Sequence, residues 1–112
     1  MQLISAIVRP SKVGEVCEAL QTFGFRGLTV IAATGFGKQR APVEIYRGVE
    51  SSAAFQDQAK IEIVAADDDV GDLIEVICRV AATGGIGDGK VWILPVEDVV
   101  RIRTGERGSD AL

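Results

Sequence analysis

Histidine does not occur anywhere in this 112-residue chain. Its absence removes the usual general base, the Ser-His and Cys-His nucleophile pairs and the commonest zinc ligand, so no enzyme is expected and no catalytic residue is assigned. Cysteine occurs only twice, as Cys17 and Cys78, far apart in helix-like apolar stretches. They read as two small buried hydrophobes in a reducing compartment, not as a disulfide or a metal cluster. No apolar run approaches a membrane span, and Met1-Gln2-Leu3-Ile4 lacks the cationic start of a signal peptide. A cytoplasmic protein without direct membrane insertion is expected. Basic residues are outnumbered, twelve against sixteen, giving a net charge of −4, which argues against nonspecific nucleic-acid binding. The single tryptophan, Trp92, is read as packing.

What remains is an ordinary core-forming chain with a repeated pattern. Its length fits one domain, 1–112, able to bury roughly two-thirds of its unfolded surface. Leu3 to Val8 is a strand candidate; after Pro10, Ser11 is placed to cap a helix with Val13, Val16, Cys17, Leu20 and Phe23 at helical spacing. Leu28 to Ala33 reads as a strand rich in β-branched residues. The order then restarts. Ile61 to Ala65 makes a strand, Asp67 to Asp69 supply cap candidates suited to a helix dipole, and Val70, Leu73, Ile74, Ile77 and Val80 form a second stripe before the strand Val91 to Leu94. Val13-Gly14-Glu15 and Val70-Gly71-Asp72 stand in like register, 57 positions apart. Two tandem β-α-β units describe an α+β, ferredoxin-like βαββαβ split fold with both helices on one face of an antiparallel sheet. Apolar residues on both faces of the strands favour a homo-oligomer covering the other face. Val99 to Arg103 reads as one further short strand.

Three segments carry chemistry. Thr83 to Lys90 holds four glycines in six positions and ends in a cation, a composition whose backbone N–H groups are expected to converge on a phosphate. Gly84 and Gly89-Lys90 fit Walker spacing, but Val91 replaces the magnesium-binding Ser or Thr and the segment joins helix to strand, so a Walker NTPase is excluded. A ligand-free turn is the competing reading. The segment from Gly35 to Phe55 is too long for a simple connector, and its alternation of Val43, Ile45 and Tyr46 with Glu44 and Arg47 suits an exposed hairpin or docking peptide. Finally, Arg101-Ile102-Arg103 alternates as a strand would, directing both guanidinium groups to one side; phosphate binding and a solvated face explain this equally well.

Gly35-Phe36-Gly37 with Gln39, Glu44-Ile45-Tyr46-Arg47-Gly48, Thr83 through Ile93 and Arg101-Ile102-Arg103-Thr104-Gly105-Glu106 together resemble the PII nitrogen-regulatory signal-transduction proteins over essentially the whole chain. The resemblance implies a homotrimer with nucleotide sites between subunits and a docking loop at about 37–55. It implies ATP or ADP phosphates held by Gly37, Lys38, Gly87, Asp88, Gly89, Lys90, Arg101 and Arg103, and a nucleoside lined by Thr29, Glu62 and Val64. It further implies 2-oxoglutarate binding with Mg-ATP through a magnesium ion that Gln39 helps to ligate, in a co-ligand pocket of Arg9, Gln39, Gln58 and Gly87. The implied partner is a membrane transporter, with the ammonium channel as precedent, or a metabolic enzyme, docked through Glu44, Tyr46 and Arg47.

The chain departs from that pattern at several positions. Gln58 stands where sensors of 2-oxoglutarate carry a lysine, and losing that ion pair should cost on the order of 1–3 kcal/mol, about tenfold to a hundredfold in affinity. Val49 and Ser51 replace the side chains that relatives modify covalently, and Gly85 replaces a common lysine. The readings carried forward are therefore a nucleotide-sensing PII regulator, and a PII-like sensor of another anion such as bicarbonate that regulates inorganic-carbon uptake. A small ATPase is disfavoured because no general base is evident.

Overall fold

The structure, a computed structural model, describes residues 1–25, 27–38 and 53–112. Its elements run β1 (Gln2–Val8), α1 (Val13–Phe23), β2 (Thr29–Lys38), β3 (Ala53–Ala65), α2 (Asp67–Ala81) and β4 (Lys90–Pro95). The strands form one four-stranded sheet in the order β2-β3-β1-β4, every pair antiparallel. This is the ferredoxin-like order anticipated from the repeated β-α-β pattern.

Strand periodicity explains the layering. Ile4, Ala6 and Val8 of β1 and Ala59, Ile61, Ile63 and Ala65 of β3 share one face and bury against Val16 and Leu20 of α1 and Val70, Leu73, Val76, Ile77 and Ala81 of α2. The alternate residues form cross-strand rows on the opposite face: Thr29–Glu62–Ser5–Trp92 and Ile31–Lys60–Ile7–Lys90. That face carries no helix among the described residues, and Ile31, Trp92 and Leu94 remain 41 %, 39 % and 52 % exposed.

Several expected boundaries shift. Ser11 does not cap α1: Pro10, with its fixed φ, opens a 3-10 turn over Pro10–Lys12, and the helix starts after Lys12 without a side-chain cap. Phe23 ends that helix 45 % exposed instead of in the core stripe. Ala66 occupies the cap position of α2, leaving Asp67, Asp68 and Asp69 in its first turn, where the dipole favours them; Asp67 accepts a 2.8 Å hydrogen bond from the Met1 ammonium. Cys78 is exposed, not buried, because it follows Ile77 by one residue and so lies about 100° off the buried stripe; Cys17 is half-buried, and both thiols are free.

The largest difference is the reach of the β2–β3 hairpin. Pairing continues from Thr29↔Glu62 to Lys38↔Ala53, so both ends of the expected docking loop are strand. Phe36 and Phe55 face each other across the ladder with ring centroids 5.0 Å apart, an aromatic pair that holds the arm together. Gln39, Glu44, Tyr46, Arg47, Val49 and Ser51, the remaining positions named for the loop, lie outside the described residues.

Candidate functional site

The glycine-rich segment is first an internal structure. The Asp88 carboxylate accepts the N–H of Thr83 at 2.8 Å and of Gly84 at 2.9 Å, as well as the Thr83 hydroxyl, while the N–H of Gly85 donates to Thr83 Oγ1 at 3.2 Å. The first half of the loop thus wraps an anion of its own. These contacts, led by the Thr83 hydroxyl and the Thr83 N–H and joined by Arg9 and the Gly84 N–H, hold the Asp88 carboxyl well below the usual carboxylate range. The Asp88 side chain is thus committed inside the loop, and what this position would offer a phosphate is its main chain.

The second half turns outward into β4. Gly89 has φ +100°, and a Cβ there would lie 1.7 Å from the Ile7 carbonyl oxygen, so only glycine lets the loop approach β1 this closely. Gly87, at φ +102°, packs over the Arg9 guanidinium. Gly87, Gly89 and Lys90 line a cavity of about 400 Å³ with Gly37, Gln58 and Trp92. Four of the residues assigned to phosphate, Gly37, Gly87, Gly89 and Lys90, therefore meet in one place. Lys38 belongs to the same end of β2.

Thr29, Glu62 and Val64, assigned to the nucleoside, also meet, in a separate cleft of about 720 Å³ closed on one side by Val99, Ser109 and Leu112 of the C-terminal segment. The two cavities share no lining residue. Between them Lys60 pairs with Glu62 at 3.0 Å and sits 5.8 Å from the Trp92 ring centroid. Thr29 and Gly37 stand about 26 Å apart along β2, at ~3.3 Å per residue.

Arg101 and Arg103 line neither cavity, and the strand expected over Val99 to Arg103 is a turn closed by a Val100–Arg107 bridge. Arg101 donates to Glu106 Oε1 at 3.1 Å and to the Leu112 main-chain oxygen at 3.2 Å, which ties it to the rim of the larger cleft. Arg103 is exposed. Alternation suggested a strand, but Gly105 permits a tight return with its N–H donating to the Arg101 carbonyl at 2.7 Å.

A third cavity, about 360 Å³, brings together Arg9, Gln58 and Gly87 with Ser11, Gln56 and Asp57. The ladders explain it. Continuing the β1–β3 register by one residue beyond Val8↔Ala59 and the β1–β4 register by two beyond Ile7↔Lys90 sets Arg9 between Gln58 and Asp88. Arg9 Nε donates to Asp88 Oδ1 at 3.1 Å and Nη2 to the Ile86 carbonyl at 2.8 Å. Gln58 folds back over Gly35, where a Cβ would meet Gln58 Oε1 at 2.4 Å.

This geometry has counterparts. A family model described as "Nitrogen regulatory protein P-II" matches residues 1–106. The chain belongs to the PII family of nitrogen regulatory proteins. It is 51 % identical over 112 residues to the nitrogen regulatory protein P-II of Azospirillum brasilense, and 43 % identical over the same length to the nitrogen regulatory protein GlnK of Escherichia coli K12, in each case over all of both chains. Among solved structures it is similar to Arabidopsis thaliana PII bound to citrate, with TM-score 0.83 and 41 % identity over 99 % of this chain and 91 % of that one. The PII fold is thus reached independently by sheet order and by sequence. The Asp88-centred wrapping of the loop was not anticipated from the sequence, although Thr83 and an aspartate five residues on is a short-range signal for such a side-chain-to-backbone turn.

Proposed function

We propose that this PII protein is a regulator that binds ATP and ADP between subunits of a homotrimer and controls a transporter, by precedent the ammonium channel, or a metabolic enzyme through its docking loop. The observation that carries the reading is the division of the expected site into two half-sites on one chain: glycine N–H groups with Lys90 in one cavity, Thr29, Glu62 and Val64 in another. A nucleotide that uses both sets is naturally shared by two copies. The helix-free sheet face with Ile31, Trp92 and Leu94 exposed supplies an apolar surface for such copies. Competing ATP and ADP would then shift the loop between docking states according to their differential affinities.

A second reading is favoured by the third cavity. Its described lining offers one cation, Arg9, already paired with Asp88, together with neutral Gln58 and acidic Asp57. This disfavours 2-oxoglutarate, a dianion, and suits a smaller anion such as bicarbonate in a sensor that regulates inorganic-carbon uptake. A bound citrate belongs to the Arabidopsis relative and shows only that a PII chain accommodates a carboxylate ligand.

Calorimetric titration of ATP and ADP with magnesium, repeated with 2-oxoglutarate and with bicarbonate, tests both readings. Tightening of ATP binding by 2-oxoglutarate would reject the second, and absence of nucleotide binding would reject the first.

A further inference from the structure

We propose that Arg9 is a positioning residue for the nucleotide loop, acting through Asp88 and the Ile86 carbonyl to set the outward half of the loop, an inference that rests on the nucleotide reading above. The resemblance placed Arg9 in the co-ligand pocket. The geometry gives it different work. Nε and Nη2 diverge from one planar guanidinium to two points of the loop, Asp88 Oδ1 at 3.1 Å and the Ile86 carbonyl at 2.8 Å. Those two points flank Gly87, whose Cβ position lies 3.3 Å from Nη2. The same Asp88 carboxylate gathers the N–H groups of Thr83 and Gly84 on its other oxygen, Oδ2.

Arg9 Nε and the Thr83 hydroxyl thus share Oδ1 of one carboxylate while the N–H groups of Thr83 and Gly84 hold its Oδ2, and the chain runs from this clamp through Gly89 into β4. Arg9 is itself fixed, because it directly follows β1 and lies between the β3 and β4 ladders. Sheet register is thereby transmitted to the phosphate-facing backbone. A planar fork is needed, since an ammonium on a flexible stem does not present two divergent N–H groups at fixed angles. Preorganised donors bind anions more tightly because they need not be ordered on binding.

The test compares Arg9→Lys, Arg9→Met, Asp88→Asn and the double variant Arg9→Met/Asp88→Asn with the parent protein. It reads ATP affinity by calorimetry at several salt concentrations and amide hydrogen exchange over 83–90 without nucleotide. Arg9→Lys keeps the charge and is expected to bind ATP about tenfold more weakly, the equivalent of one charge-assisted hydrogen bond, with an unchanged salt slope and faster exchange in the loop. The double variant is expected to be no weaker than the weaker single one, as for residues acting as a unit. ATP binding by Arg9→Lys equal to the parent's would show that only charge matters and overturn the proposal. Should the parent itself bind no ATP, the nucleotide reading fails and the exchange arm still decides: unaltered exchange over 83–90 in Arg9→Lys and Arg9→Met overturns the positioning role.

Discussion

Single residues here have sharply defined jobs, and Gly89 has the least latitude. A methyl group at that position meets the Ile7 carbonyl at 1.7 Å with φ at +100°, so Gly89→Ala combines left-handed strain with overpacking against backbone. It is expected to lower stability by at least about 2 kcal/mol, read as a fall in the urea midpoint; an unchanged midpoint would show that the loop and β1 part without cost. Asp88 supports a prediction in pH. Its folded pKa is depressed by Thr83, Arg9 and Gly84, so its contribution to loop order is complete above the unfolded carboxylate value of about 4 and is lost only as pH falls through the lower folded value. The amide resonances of Thr83 and Gly84 should therefore hold steady from neutral pH down to about 4 and move only below it. A midpoint at the ordinary aspartate value would contradict the hydrogen-bonded loop.

Elements were legible where one periodicity dominated. The stripe Val70, Leu73 and Ile77 identified α2 because its charged residues occupy the other face, and Leu73 is fully buried. Leu73→Ala is expected to cost about 3 kcal/mol through lost burial and a residual cavity, measured by chemical denaturation; a loss under about 1 kcal/mol would mean the helices collapse into the space. Boundaries were harder where two local rules competed. Ser11 has the right chemistry for a cap, yet Pro10 sets the backbone into a 3-10 turn first. Gly35-Phe36-Gly37 fell at the start of a segment read as loop from its length, whereas cross-strand pairing with Ala54 to Gln56 keeps them in β2, a non-local gain that no window along the chain reveals. The same holds for the site. Glycine content and Lys90 marked the loop, but the roles of Arg9 and Asp88 depend on the β1–β3 and β1–β4 registers, which bring together residues 79 positions apart.

At the scale of the whole molecule, the bare sheet face and the divided site point to the same requirement. The row Thr29–Glu62–Ser5–Trp92 and its neighbours present Ile31, Trp92 and Leu94 to solvent, an arrangement of apolar side chains that association of copies would cover. If the copies also complete each other's half-sites, assembly and nucleotide affinity must fail together. Paired substitution Ile31→Glu/Leu94→Glu places two carboxylates on that face without touching the buried core facing the helices or a residue lining either nucleotide cavity. The variant is expected to sediment as a folded monomer, with helical circular dichroism retained, and to lose ATP binding by at least about a hundredfold, some 3 kcal/mol. Restoring association with a covalent tether between copies should recover part of that affinity, since the loop with Lys90 is unaltered in sequence. A folded monomer that binds ATP as tightly as the parent would show that one chain suffices, with the nucleotide crossing the Lys60–Trp92 ridge instead of passing between subunits.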